Sequence, residues 1–345
     1  MNRRRSARVA RDRVATASFW KTQHGFPLPR KKKFMSTRFA PVETSLKSVL
    51  VASDFTEASS KPLRHAISIA RHYHARFYLA HVVSSVGFTI AGADALELAS
   101  NAARRDVTEL ERKLAERGDL AGLSHEFIVR QGDVREELEA IIREKQAELV
   151  VIGTHGRHGI GKLVLGSVAE KIFREADGLV LTVGPHSQSD APLESTGGGR
   201  SFLFPTDFSA ASFRALPYAI SFSNHFGARL VLLHVAPVMP ISESFSWSTA
   251  PDDITGMREE ARQKALKRLN EFVSESAPLS VKPELMVEFG KHGEQILRVA
   301  RSVKADLIVL GLDHSKHGRL AAHLPTTTTY KVVCEAHCSV LTVRN

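Results

Sequence analysis

Lys47-Ser48-Val49-Leu50-Val51-Ala52-Ser53-Asp54-Phe55-Thr56 is a short apolar run ending on a hydroxyl residue, an aspartate and a phenylalanine. Ser201-Phe202-Leu203-Phe204-Pro205-Thr206-Asp207-Phe208-Ser209 repeats that pattern. Three further blocks follow in the same order in both halves of the chain. Ala75–Val82 matches Ala228–Val235, Ala147–Gly153 matches Ala305–Gly311, and Leu179–Val183 matches Ser339–Val343. Four matched blocks at offsets of about 153 to 160 residues are an internal duplication.

Within each copy the strand-like runs alternate with helical patterns. Ser59–His74 carries Leu63, Ile67 and Ala70 at helical spacing, Leu96–Arg117 is charged and amphipathic, and Val134–Glu144 sets Leu138, Ile141 and Ile142 on one face. Ser124–Arg130 alternates as a strand does. The second copy repeats this with Ser212–Phe226, Gly256–Ser276, Val281–Glu288 and Glu294–Val303. The order βαβαβαβαβ predicts an α/β protein of two tandem doubly wound modules, each a five-stranded parallel sheet flanked by helices with right-handed crossovers. The boundaries fall at a basic arm over 1–43, a first module over 44–184, a polar linker over 185–199 and a second module over 200–345. Ligands of such sheets bind at the carboxyl ends of the strands, where the strand order reverses.

The chain has 345 residues, enough for two ordinary cores, with no apolar stretch near the ~20 residues of a membrane-spanning helix. Its net charge of +10 sits almost wholly in residues 1–34, which hold eleven Lys and Arg against Asp12 alone. The remainder is close to neutral, so no global basic field steers DNA or RNA to the folded part. The arm lacks the apolar core of a secretory signal. It reads as a basic arm for nucleic acid or anionic lipid, as a transit peptide, or as an upstream extension of a chain that starts at Met35; the last is the expectation. Two cysteines, Cys334 and Cys338, exclude a disulfide framework and fit a reducing, cytoplasmic setting.

The chemistry is concentrated after the fourth strand of the first copy. Gly153-Thr154-His155-Gly156-Arg157-His158-Gly159-Ile160-Gly161-Lys162-Leu163-Val164-Leu165-Gly166-Ser167 holds five glycines and leads into a helix over Val168–Glu175. Glycines permit close backbone approach, and the first N–H groups of that helix, with the Ser167 hydroxyl, make an anion site. Gly156-x4-Gly161-Lys162 imitates a Walker A loop but fails at Leu163, where Ser or Thr is needed for Mg²⁺. The spacing that fits is Gly-x2-Gly-x9-Gly-Ser, from Gly153 to Ser167.

That motif resembles the nucleotide-binding motif of the ATP-binding universal stress proteins, and the resemblance covers both copies, sparing the arm and linker. It implies an adenine nucleotide alpha hydrolase-like fold and ATP, with or without Mg, as ligand. By the resemblance Ala52, Ser53, Asp54 and Val82 line the adenine and ribose side, Gly153 and Gly156 pass under ribose and phosphates, and Gly166, Ser167 and Val168 bind phosphate. It further implies a nucleotide-dependent switch of conformation or partner in the stress response. The alternatives are a slow ATPase or autokinase of the same fold, or a scaffold that binds no nucleotide. Both copies end in Leu-Thr-Val, an apolar edge that invites pairing. With the family's habit of joining last strands, this predicts an internal pseudo-dimer; a homodimer of the whole chain and an unknown protein partner stay open. The second copy keeps Gly311, but His314 replaces the next glycine and Leu324-Pro325-Thr326-Thr327 stands near Gly-Ser, so it is expected to be degenerate.

His155, His158, His314, His317, His323 and His337 do not assemble into metal-ligand spacing with Cys334 and Cys338. No metal site and no catalytic residue is expected. One carboxylate, Asp54, does not make a hydrolase.

Overall fold

The computed structural model describes residues 45–86, 92–154, 165–184, 199–237, 251–274, 282–312 and 327–344. In chain order the first repeat forms β1 (Ser48–Ala52), α1 (Ser60–His72), β2 (Arg76–Ser84), α2 (Ala93–Glu116), β3 (His125–Gly132), α3 (Val134–Glu144), β4 (Leu149–Gly153), α4 (Ser167–Glu175) and β5 (Gly178–Val183). The second forms β6 (Ser201–Pro205), α5 (Ala210–His225), β7 (Arg229–Ala236), α6 (Pro251–Ser274), β8 (Glu284–Phe289), α7 (His292–Ser302), β9 (Leu307–Leu312), α8 (Thr328–Glu335) and β10 (Ser339–Arg344).

The strands lie in one sheet in the order β3-β2-β1-β4-β5-β10-β9-β6-β7-β8. Every neighbouring pair is parallel except β5 with β10. The two five-stranded halves are therefore continuous, joined through their last strands. The register explains why this join is self-complementary. Leu181 faces Leu341, its own counterpart in the other repeat, so a local two-fold axis passes between them. On either side Thr182 Oγ1 donates to the Val340 carbonyl at 3.1 Å and Thr342 Oγ1 to the Val180 carbonyl at 3.2 Å. Hydroxyls buried in a sheet need such partners, and the Leu-Thr-Val signature supplies them reciprocally.

Both faces of the sheet are covered, which is why the strands read as nearly unbroken apolar runs. Val49 and Val51 enter one core layer with residues of α1, α2, α5 and α6. Leu50 enters the other with residues of α3, α4, α7 and α8. Each layer runs across both repeats without interruption.

Candidate functional site

Each half has the strand order 3-2-1-4-5, so in the first repeat the order reverses between β1 and β4. The helix after β1 packs on one face and the helix after β4 on the other. In open α/β sheets, such a reversal marks the carboxyl ends of the two strands as the place where ligands bind.

At the β1 side, the Ser53 N–H donates to the Ala80 carbonyl at 3.0 Å and extends the ladder one residue past the strand. Ser53 Oγ then donates to Ser59 Oγ at 3.0 Å and accepts from the Phe55 N–H at 3.2 Å. Asp54 Oδ1 accepts from the Thr56 N–H at 3.1 Å and from Thr56 Oγ1 at 2.6 Å, so the turn fixes the orientation of the carboxylate. Phe55 is held at φ 58°, a strained value for a bulky residue. Its ring lies 4.4 Å from the imidazole of His81, whose Nδ1–H donates to the Ser53 carbonyl at 2.8 Å. His81 thus clamps the turn from β2. Its equivalence to His234 was visible in the repeat, but the family resemblance implied a role only for its neighbour Val82.

At the β4 side, the register Val51 to Val151, continued two residues, sets Gly153 level with Ser53. Thr154 is buried; its N–H donates to the Val183 carbonyl at 3.1 Å, and its own carbonyl accepts from the Gly166 N–H at 2.9 Å. Both ends of the glycine-rich connection are therefore tied to the end of β4. Gly156 lies outside the described residues. Ala52, Val82 and Val168 come to the same core layer, with Ile152 and Leu165. Ser167, at the start of α4, is exposed.

The start of α4 is where the geometry is most informative. Gly166 is its N-cap and has no side chain with which to bond the first-turn amides. Its φ of −58° is open to any residue, and a Cβ there would meet, among the described residues, only the Thr154 carbonyl at an ordinary 3.6 Å. Neither backbone strain nor packing against the described residues demands glycine at this position. The amides at the head of α4, at the positive end of its dipole, receive no side-chain bond from their N-cap residue.

The model of the universal stress protein family matches residues 45–184 and again 199–344. The chain belongs to the universal stress protein family. A universal stress protein of Methanocaldococcus jannaschii is 29% identical over 142 residues, 41% of this chain and 84% of that protein. One of Mycolicibacterium smegmatis is 30% identical over 194 residues, 54% of this chain and 63% of its own length. Among solved structures, a universal stress protein from Archaeoglobus fulgidus shares the fold with a TM-score of 0.61 at 19% identity, covering 86% of this chain and 96% of its own.

The second universal stress protein repeat reproduces the turn but not the glycine N-cap. Phe208 has φ 61°, its ring lies 4.6 Å from His234, and His234 Nδ1–H donates to the Thr206 carbonyl at 2.9 Å. Asp207 Oδ1 accepts from the Ser209 N–H and Ser212 Oγ, at 2.9 and 2.8 Å. Burial raises the Asp207 pKa, but the hydrogen bonds from Ser209 and Ser212 outweigh it and the carboxyl is held below its ordinary range. At the head of α8, however, Thr327 Oγ1 accepts from the Tyr330 N–H at 3.3 Å. The N-cap side chain takes up a first-turn amide here, as Gly166 of α4 cannot. Gly311 also has an explanation internal to the fold: a Cβ there would collide with the backbone of Ala211 and Ser212. His314 and residues 324–326 lie outside the described residues.

The second repeat also holds α4 at both ends. Leu165, just before Gly166, is buried in the same core layer against which Cys334 of α8 packs, and burial keeps that thiol above its ordinary pKa. At the other end the Arg344 guanidinium donates to the carbonyls of Phe173 at 3.0 Å, Ala176 at 3.3 Å and Arg174. Among the described residues no three His, Cys, Asp or Glu gather as a metal cluster, and no helix is long and apolar enough to cross a membrane.

Proposed function

We propose that the first repeat binds one adenine nucleotide, ATP, and that occupancy changes the conformation or partner choice of the protein in the stress response. The observation that carries this reading is Gly166. It stands where neither strain nor the described packing asks for glycine, at the head of α4, where it offers the first-turn amides no cap side chain. An anion approaching that backbone supplies the missing reason, since a Cβ would stand in its path. Gly166, Ser167 and Val168 would receive the phosphates, and Gly153 and Gly156 would let ribose and phosphates approach. Ala52, Ser53, Asp54 and Val82 would line the adenine and ribose side. Magnesium would travel on the phosphates, keeping most of its waters. The carboxylate of Asp54 is committed through Oδ1 to its own turn, which suits a ribose contact better than proton transfer.

Calorimetric titration with MgATP tests the reading. One site per chain is expected. Gly166→Ala should weaken binding at least tenfold, with loss of no more than about 1 kcal/mol of stability at the cap. Two sites would refute the asymmetry between repeats; no binding, or full binding by Gly166→Ala, would refute the site.

A further inference from the structure

His72 and His225 are the last residues of α1 and α5 and occupy equivalent places in the two repeats, 153 positions apart. Across the seam, His72 Nε2 lies 3.1 Å from His225 Nδ1, with the ring planes at 82°. An aromatic bed supports the pair. His72 lies 4.9 Å from Phe226, and Tyr73 lies 4.6 Å from His225 and 5.6 Å from Phe222. Tyr73 Oη is within 3.3 Å of Ser221 Oγ, which further joins the two helices. His72 is half-buried and His225 exposed, so the pair opens to solvent on one side.

Two features favour a cation here. The carboxyl ends of both helices converge on the pair, and each brings the negative end of its dipole. The nearest guanidinium in sequence, Arg71, is engaged at the Asp119 carbonyl at 2.7 Å. The nitrogen separation is also informative. An ion at about 2.0–2.1 Å from two imidazole nitrogens in tetrahedral geometry holds them about 3.4 Å apart. The observed 3.1 Å is a small side-chain adjustment from that bite.

We propose that His72 and His225 form a two-histidine site for a divalent transition ion that prefers imidazole, Zn²⁺, Cu²⁺ or Ni²⁺. Two protein ligands join the repeats, and water completes the coordination sphere. With only two ligands the site is exchangeable, with an affinity on the order of micromolar rather than that of a closed structural zinc site. It is independent of the nucleotide reading.

Zn²⁺ titrated calorimetrically into the chelator-stripped full chain should fill a site that His72→Gln and His225→Gln each weaken at least tenfold. His74→Gln, two residues on and exposed, should leave the titration unchanged. Because the chain has 16 histidines, the difference between variants is the readout, not binding as such. Zn²⁺ should raise the melting temperature of the wild type and of His74→Gln, but of neither seam variant, with metal-free melts confirming that all four fold. Equal binding in wild type and both seam variants would assign the ion to other histidines and overturn the proposal. So would the absence of any saturable site.

Discussion

His65, on α1, is only 3% exposed, and its Nδ1 has no hydrogen-bond partner among the described residues. Burial, with smaller contributions from Arg64, Arg200 and Lys61, lowers its pKa from 6.5 to about 4. In the unfolded chain the same imidazole takes a proton near 6.5. Between pH 6.5 and 4 the unfolded state therefore binds more protons, and stability is lost as pH falls through that window. The full effect is on the order of 3 kcal/mol. Urea midpoints at pH 7.5 and 4.5 should differ more for wild type than for His65→Leu; equal differences would show that His65 is not the sensor. The two retained strand-end glycines differ in how far sequence could explain them. Gly311 and Gly153 were legible as a pair, but the reason for Gly311, the backbone of Ala211 against it, exists only in three dimensions. Gly166 is the reverse case: its spacing marked it, and among the described residues neither strain nor packing asks for glycine there.

At the level of elements, α4 is set by contacts from the other repeat. Arg344 satisfies carbonyls at its carboxyl end that would otherwise be orphaned, with a planar fork that lysine does not offer. Arg344→Met should cost about 1.5–3 kcal/mol, the scale of hydrogen bonds to a charged group. Arg344→Lys should recover only part of it, as read from thermal melts. A variant as stable as wild type would mean that water caps the helix equally well. Most of the helices and strands were legible from period alone, because each buries one stripe or alternates across a covered sheet. The cross-repeat caps were not, since Arg344 and Phe173 are 171 residues apart and no periodicity relates them. The repeat thus disclosed what each half looks like but not what the second half does for the first.

Across the whole molecule, the prediction that the last strands associate rested on an apolar edge and on the family resemblance, and the structure joins β5 and β10 antiparallel in one ten-stranded sheet. Central strands with both faces covered open only with the global fold. Amides of Leu179–Val183 and Val340–Val343 should therefore be among the slowest to exchange with deuterium, slower than those of the outer strands β3 and β8. Rapid exchange at the seam would show that the halves come apart in solution.

The axis between Leu181 and Leu341 carries one more consequence. In a pair of identical subunits every substitution would appear twice, once on each side of that axis, and the pairing would weaken on dilution. Here both halves are on one chain, so each meets the other at an effective concentration on the order of millimolar whatever the abundance of the protein. Each side can also change alone. That freedom lets one helix keep Gly166 as its N-cap while its counterpart acquires Thr327.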